Sequence, residues 1–143
     1  MSALTLTALG ILVLCVGLLA GASPVLEFSL GGTGDGFPVG TLVAWTGLVA
    51  WPLLFFGLRR RLWKPRTLFD RAIRYAFLLL IALGLVWGLL SYLILGNWAL
   101  NYDPGTVFAG SERAMSRFWL GTGLLMVLPP VLWLAHLLFG RKG

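Results

Sequence analysis

Four stretches of the chain are almost continuously apolar, and the polar residues between them gather in short clusters instead of alternating. They run from Ala3 to Ala22, Val39 to Leu58, Tyr75 to Gly96 and Phe118 to Phe139, and none contains Lys, Arg, Asp or Glu. Crossing a bilayer takes roughly 20 helical residues, because a helix satisfies its own backbone hydrogen bonds where water is absent. Each stretch has that length. The pattern predicts an all-α polytopic membrane protein, a single integral membrane domain over residues 1–143 built as a four-transmembrane-helix bundle.

Ala20-Gly21-Ala22 has the small-residue form of a signal-peptidase site. No basic segment precedes it, and the apolar run is longer than a signal core, so a retained first helix is expected.

Composition agrees with lipid as the solvent. Apolar residues make up 59% of the chain and charged residues only 11%, against about 25% charged in a soluble domain. The net charge of +6 does not predict nucleic-acid binding, because the cations flank apolar runs instead of covering a polar face. Cys15 is the only cysteine and lies inside the first run, where a buried, inert thiol is expected.

The placement of Lys and Arg predicts orientation, since short basic loops resist translocation. Arg59, Arg60, Arg61, Lys64, Arg66, Arg71 and Arg74 fall in the loop 59–74, and Arg141 and Lys142 follow the last span. Only Arg113 and Arg117 fall opposite. The expected topology is therefore N-in/C-in, with loops 23–38 and 97–117 outside, in a bacterial-type inner (cytoplasmic) membrane. Trp63, Phe69, Tyr75 and Phe139 mark the inner border, and Trp98, Tyr102, Phe118 and Trp119 the outer one. Trp51 and Trp87 lie near mid-span, where packing against a neighbouring helix is the expected role.

The loops carry turn and cap signals. The glycine-rich run Gly31–Gly40 lacks the preceding strand and following Lys-Ser/Thr of a phosphate loop, so a plain hairpin connection is expected. Thr67 and Asp70 have the spacing of a capping box after Pro65, which restarts a helix near Leu68. Its first turns should graze the membrane surface with Leu68, Phe69, Ala72, Ile73 and Ala76 on one face. The seven cations of this loop read first as a topology signal and second as a surface for anionic lipid. In the second outer loop, Asp103-Pro104-Gly105 is a turn signal. Ser111-Glu112 reads as a helix start ahead of the span, and the loop's length makes it the first suspect for an interaction surface.

Candidate chemistry is sparse. No ionisable residue lies at mid-depth, as a proton or ion pathway would require. His136, the only histidine, sits at the inner end of the last span, across the membrane from most acids. Alone it makes neither a metal site nor a nucleophile's base, and an interface or headgroup hydrogen bond is its expected role, with a partner's cofactor second. No catalytic residue, metal or cofactor is predicted. The pairs Gly17 and Gly21, Gly40 and Ala44, and Gly84 and Gly88 stand four apart, as small-residue helix seams do. Pro52, Pro129 and Pro130 fall near mid-span and should kink their helices.

A first apolar helix, a turn ending in Asp35-Gly36-Phe37-Pro38 and a second helix closing on Arg59-Arg60-Arg61 together resemble the small membrane subunit of tripartite tricarboxylate transporters. The second half departs from that pattern, and no family is assigned from it. The expected function is a non-catalytic accessory subunit of a larger membrane complex, with membrane lipids and other membrane subunits or further copies as partners. The alternative is a small solute or lipid transporter component or a channel-forming homo-oligomer.

Overall fold

The computed structural model describes residues 2–30, 37–95 and 111–140, with Arg60 and Ser111 described by backbone alone. Within these lie four helices: α1 (Ala3–Ala20), α2 (Val39–Leu58), α3 (Leu68–Leu95) and α4 (Ser111–Phe139). All four are long and apolar enough to cross a membrane. The glycine-rich residues 31–36, Trp98, Tyr102, the Asp103-Pro104-Gly105 turn, Arg141 and Lys142 lie outside the described residues.

The helix ends follow local chemistry. The Ser2 hydroxyl accepts from the Thr5 amide at 3.2 Å and caps the start of α1. At the other end the Ser23 amide donates to Leu18 O and the Ala22 amide to Leu19 O, the paired bonds that close a helix. Ala22 adopts φ 44°, a position glycine usually fills. A 3-10 turn, Pro24–Glu27, then leads to the two-residue strand β1 (Ser29–Leu30), which pairs antiparallel with β2 (Phe37–Pro38). The first connection is thus a hairpin, as expected. α3 begins at Leu68 because the capping box forms: the Asp70 amide donates to Thr67 Oγ1 at 3.1 Å, and the Thr67 amide to Asp70 Oδ2 at 3.2 Å.

α2 packs against α1, α3 and α4, and α3 also packs against α4. α1 leans mainly on α2. The inward stripe of α3 is Asp70, Ile73, Phe77, Leu80, Gly84, Gly88, Ser91 and Leu95, at three- and four-residue spacing. Its outward face carries Leu79, Leu85, Leu89 and Leu93, all exposed. A helix that hides glycine, serine and aspartate while displaying leucine is inverted relative to a soluble one, and suits a hydrocarbon surrounding.

The face expected at the start of α3 is divided in burial, with Leu68, Phe69 and Ala72 exposed and Ile73 turned inward. Ile73 is buried in a core with Phe56, Leu62 and Phe77, whereas Leu68 is 81% exposed. Asp70, not the apolar set, takes the inward direction and so fixes the rotation of the helix.

Candidate functional site

Two regions concentrate the polar and structural chemistry, one at the basic end and one at the depth of the spans.

At the basic end, Asp70 and His136 are both fully buried, and Nε2 of the imidazole lies 2.8 Å from Oδ1 of the carboxylate. Arg59 Nε donates to His136 Nδ1 at 3.1 Å, and Arg59 Nη2 to the His136 carbonyl at 3.3 Å. A guanidinium cannot accept, so Nδ1 must be the acceptor and Nε2 carries the proton that Asp70 receives. Asp70 Oδ2 accepts from Arg61 Nε at 3.2 Å and from the Arg66 and Thr67 amides at 3.3 and 3.2 Å. Arg61 Nη1 also donates to the Gly140 carbonyl. Phe69 stacks on the imidazole, with ring centroids 6.1 Å apart and planes 9° from parallel.

This cluster ties the end of α2 and its following turn to the start of α3 and the end of α4. Two guanidiniums sit on the His136 and Gly140 carbonyls at the C-terminal end of α4, where the helix dipole favours cations. A histidine base needs one free nitrogen facing a nucleophile while the carboxylate holds the other. Here Arg59 occupies that nitrogen, and the imidazole bridges Arg59 and Asp70 as a clamp. The expectation for His136 is thereby corrected: it bonds within its own chain, to Asp70 at the start of α3. A partner's cofactor could reach the ring only by displacing Arg59 or Asp70.

The six cations of the loop whose side chains are described separate in the structure. Arg59 and Arg61 serve the clamp, and Arg74 donates to the Trp63 carbonyl at 3.2 Å. The side chains of Lys64, Arg66 and Arg71 are exposed.

Within the spans, three indoles join the helices. Trp45 Nε1 on α2 donates to Gly84 O on α3 at 2.7 Å, and its ring covers Gly88, where a Cβ would come within 2.5 Å of the ring. Trp51 Nε1 on α2 donates to Met126 O on α4 at 2.8 Å. That carbonyl is available because Pro130, four residues on, has no N–H to give it. Trp87 Nε1 on α3 donates to Thr122 Oγ1 at 3.1 Å while its ring fills the space where Gly121 has no side chain. Trp51 and Trp87 thus pack against a neighbouring helix, as expected.

Pro52 likewise leaves Leu48 O without a helical donor, and Gly84 lies against that oxygen, with a Cβ position 3.5 Å away. The helical assignment runs unbroken through Pro52, Pro129 and Pro130. Gly84 and Gly88 therefore face α2 inside this chain. Gly40 abuts Leu26, and Gly17 meets nothing within 4 Å. Ala44 borders the crevice described next. Gly21 stands against the Gly17 carbonyl of its own helix. Gly57, 2.6 Å from Thr5 Oγ1 at its Cβ position, is a tighter α1–α2 contact that its isolated place in the sequence does not signal.

Between α1 and α4, with α2 as its floor, lies a crevice of about 820 Å³. α1 contributes residues from Leu9 to Leu19, and α4 contributes Phe118, Trp119, Thr122 and Met126. Its walls are almost wholly apolar. The indole N–H groups of Trp45, Trp51 and Trp87 are already engaged, and Ser91 Oγ donates to Gly88 O at 2.8 Å. Cys15 is buried beside it. A smaller polar hollow is lined by Glu112, Arg113, Ser116 and Arg117, all from α4. Among the described residues, no group of three His, Cys, Asp or Glu side chains converges as a metal site would require.

Fold and site define a protein of four candidate membrane-spanning helices with a polar clamp at one end and an apolar crevice between α1 and α4. No protein-family model, curated protein or solved structure matches the chain.

Proposed function

We propose that the chain is a non-catalytic accessory subunit of a larger membrane assembly, respiratory, photosynthetic or transport, seated in a bacterial-type inner membrane with both termini inside. The observation that carries this reading is the unclosed side of the bundle. α1 leans mainly on α2, and the crevice beside it has apolar walls in which the Trp45, Trp51 and Trp87 indole donors are already used. A self-contained bundle would close that seam, whereas a subunit leaves it for a neighbouring helix or a second copy, with lipid filling it meanwhile. The clamp supports a structural role too, because its imidazole is held between Arg59 and Asp70 with no nitrogen left for a substrate. Orientation rests on the excess of cations at the 59–74 end.

The test is gentle detergent extraction of the tagged chain at native levels, followed by native mass and identification of co-purifying chains. Stoichiometric membrane partners are expected. A monodisperse homo-oligomer without partners would overturn the accessory role.

One observation favours a second reading, a small solute or lipid transporter component or channel-forming homo-oligomer. The crevice volume of about 820 Å³ falls within the roughly 300–1,000 Å³ of small-molecule sites, and two of the helices that line it, α2 and α4, carry internal prolines. Purified chain in liposomes should then move an apolar or amphiphilic solute unaided.

A further inference from the structure

The loop 59–74 reads in sequence as one basic patch, but the structure gives its cations two directions. Arg59 and Arg61 are turned to His136 and Asp70. Lys64, Arg66 and Arg71 are turned outward, and their side chains form no ion pair among the described residues. Asp70 is the only acid in this segment and is fully buried, so it does not neutralise the outer three. Two of the three flank the first turn of α3, where the helix dipole disfavours cations. Negative charge from outside the chain would therefore be favoured beside them.

The apolar side chains around these cations point to its source. Trp63 is 46% exposed, Leu68 81% and Tyr75 69%. An exposed indole, leucine and phenol interleaved with cations match the headgroup layer, where rings and apolar tips enter the acyl boundary while ammonium and guanidinium groups stay at the phosphates. A soluble acidic protein would meet the charge but leave Leu68 in water or a polar rim.

We propose that Lys64, Arg66 and Arg71, with Trp63 and Leu68 inserted beside them, form a docking face for anionic phospholipid headgroups, distinct in role from the inward pair Arg59 and Arg61. This rests on the membrane placement given above. A surface cation near an anionic leaflet contributes roughly fivefold in lipid preference, screened by salt. Neutralising three should therefore remove at least about tenfold.

The experiment reconstitutes the full chain in nanodiscs of mixed phosphatidylglycerol and phosphatidylcholine, and reads the ratio of the two lipids retained on release by native mass spectrometry. The wild type should retain phosphatidylglycerol preferentially. The triple variant K64Q/R66Q/R71Q should lose that preference by about tenfold or more with its melting temperature in phosphatidylcholine unchanged. Arg59→Gln should lower the melting temperature and leave the ratio within about twofold. An unchanged ratio in the triple variant, or an equal loss in Arg59→Gln, would overturn the division of roles. Alkaline carbonate washing of native membranes tests the placement separately: release of the wild-type chain into the aqueous phase would overturn the membrane reading itself.

Discussion

The basic end and the opposite half of this bundle hold their helices together by different means. At the basic end, Phe56, Leu62, Ile73 and Phe77 form a buried core beside a cluster in which every polar atom of Asp70 and both nitrogens of His136 are engaged. Toward the other end the contacts thin to indole donors on backbone oxygens and rings on glycine, and a crevice opens between α1 and α4. Three helices are fastened by charge at one end and spaced by packing along their length. Association in lipid gains little from apolar burial, so a few polar bonds and close backbone approaches must carry it.

The contrast can be broken most strongly at its charged end. Asp70→Ala removes the shared acceptor of His136, Arg61 and the Arg66 and Thr67 amides, and should destabilise the protein by ~3–5 kcal/mol, as losing one partner of a buried pair does. Thermal melting in detergent should show this as a large downward shift. An effect below ~1 kcal/mol would mean that the clamp does not hold the end closed.

Next comes the ring-on-glycine packing. Gly121→Ala places a methyl group inside the Trp87 ring, so a loss of ~1–3 kcal/mol is expected from overpacking. Gly121→Ala with Trp87→Ala should recover part of it, and absence of recovery would locate the strain elsewhere.

Trp51→Phe keeps a ring but strands the Met126 carbonyl that Pro130 cannot serve. About 1–2 kcal/mol should be lost. Restoring the helical donor by Trp51→Phe with Pro130→Ala should be milder than Trp51→Phe alone.

The smallest effect belongs to the crevice wall. Val13, on α1, is 65% exposed, and Val13→Ala should change stability by less than ~0.5 kcal/mol. If an assembly partner occupies the crevice, replacement of Val13 by Trp should instead reduce co-purification while leaving the melting temperature of the isolated chain in place.

Hydropathy made the four helices legible because each needs only length and a lack of charge to be seen. The start of α3 was legible too, since Thr67 and Asp70 carry a cap that forms through local bonds. The partner of Asp70 was not. His136 is 66 residues away, and pairing them requires the rotation of two helices, which a sequence apolar on every face does not encode. The same reason hid the seat of Trp87 on Gly121 and the division of the arginines, whose directions depend on which helix end lies across from them. α3 alone carries a rotational signal, through Asp70, Gly84, Gly88 and Ser91, and these mark its inner face by being small or polar. The crevice had no signal at all, because it arises from α1 having one principal neighbour instead of two.

The clamp also sets a constraint on how this sequence can drift. Arg59, Arg61, Asp70 and His136 are joined as one set of donors and acceptors, so a change at Arg59, Asp70 or His136 leaves a buried partner atom unpaired. Single steps away from the quartet should be costly, while exchange of several members at once for a packed apolar set should be tolerated. Descendants of this chain should therefore keep all four or lose them together, and Lys64, Arg66 and Arg71, each replaceable by another cation nearby, should wander in position while their charge persists.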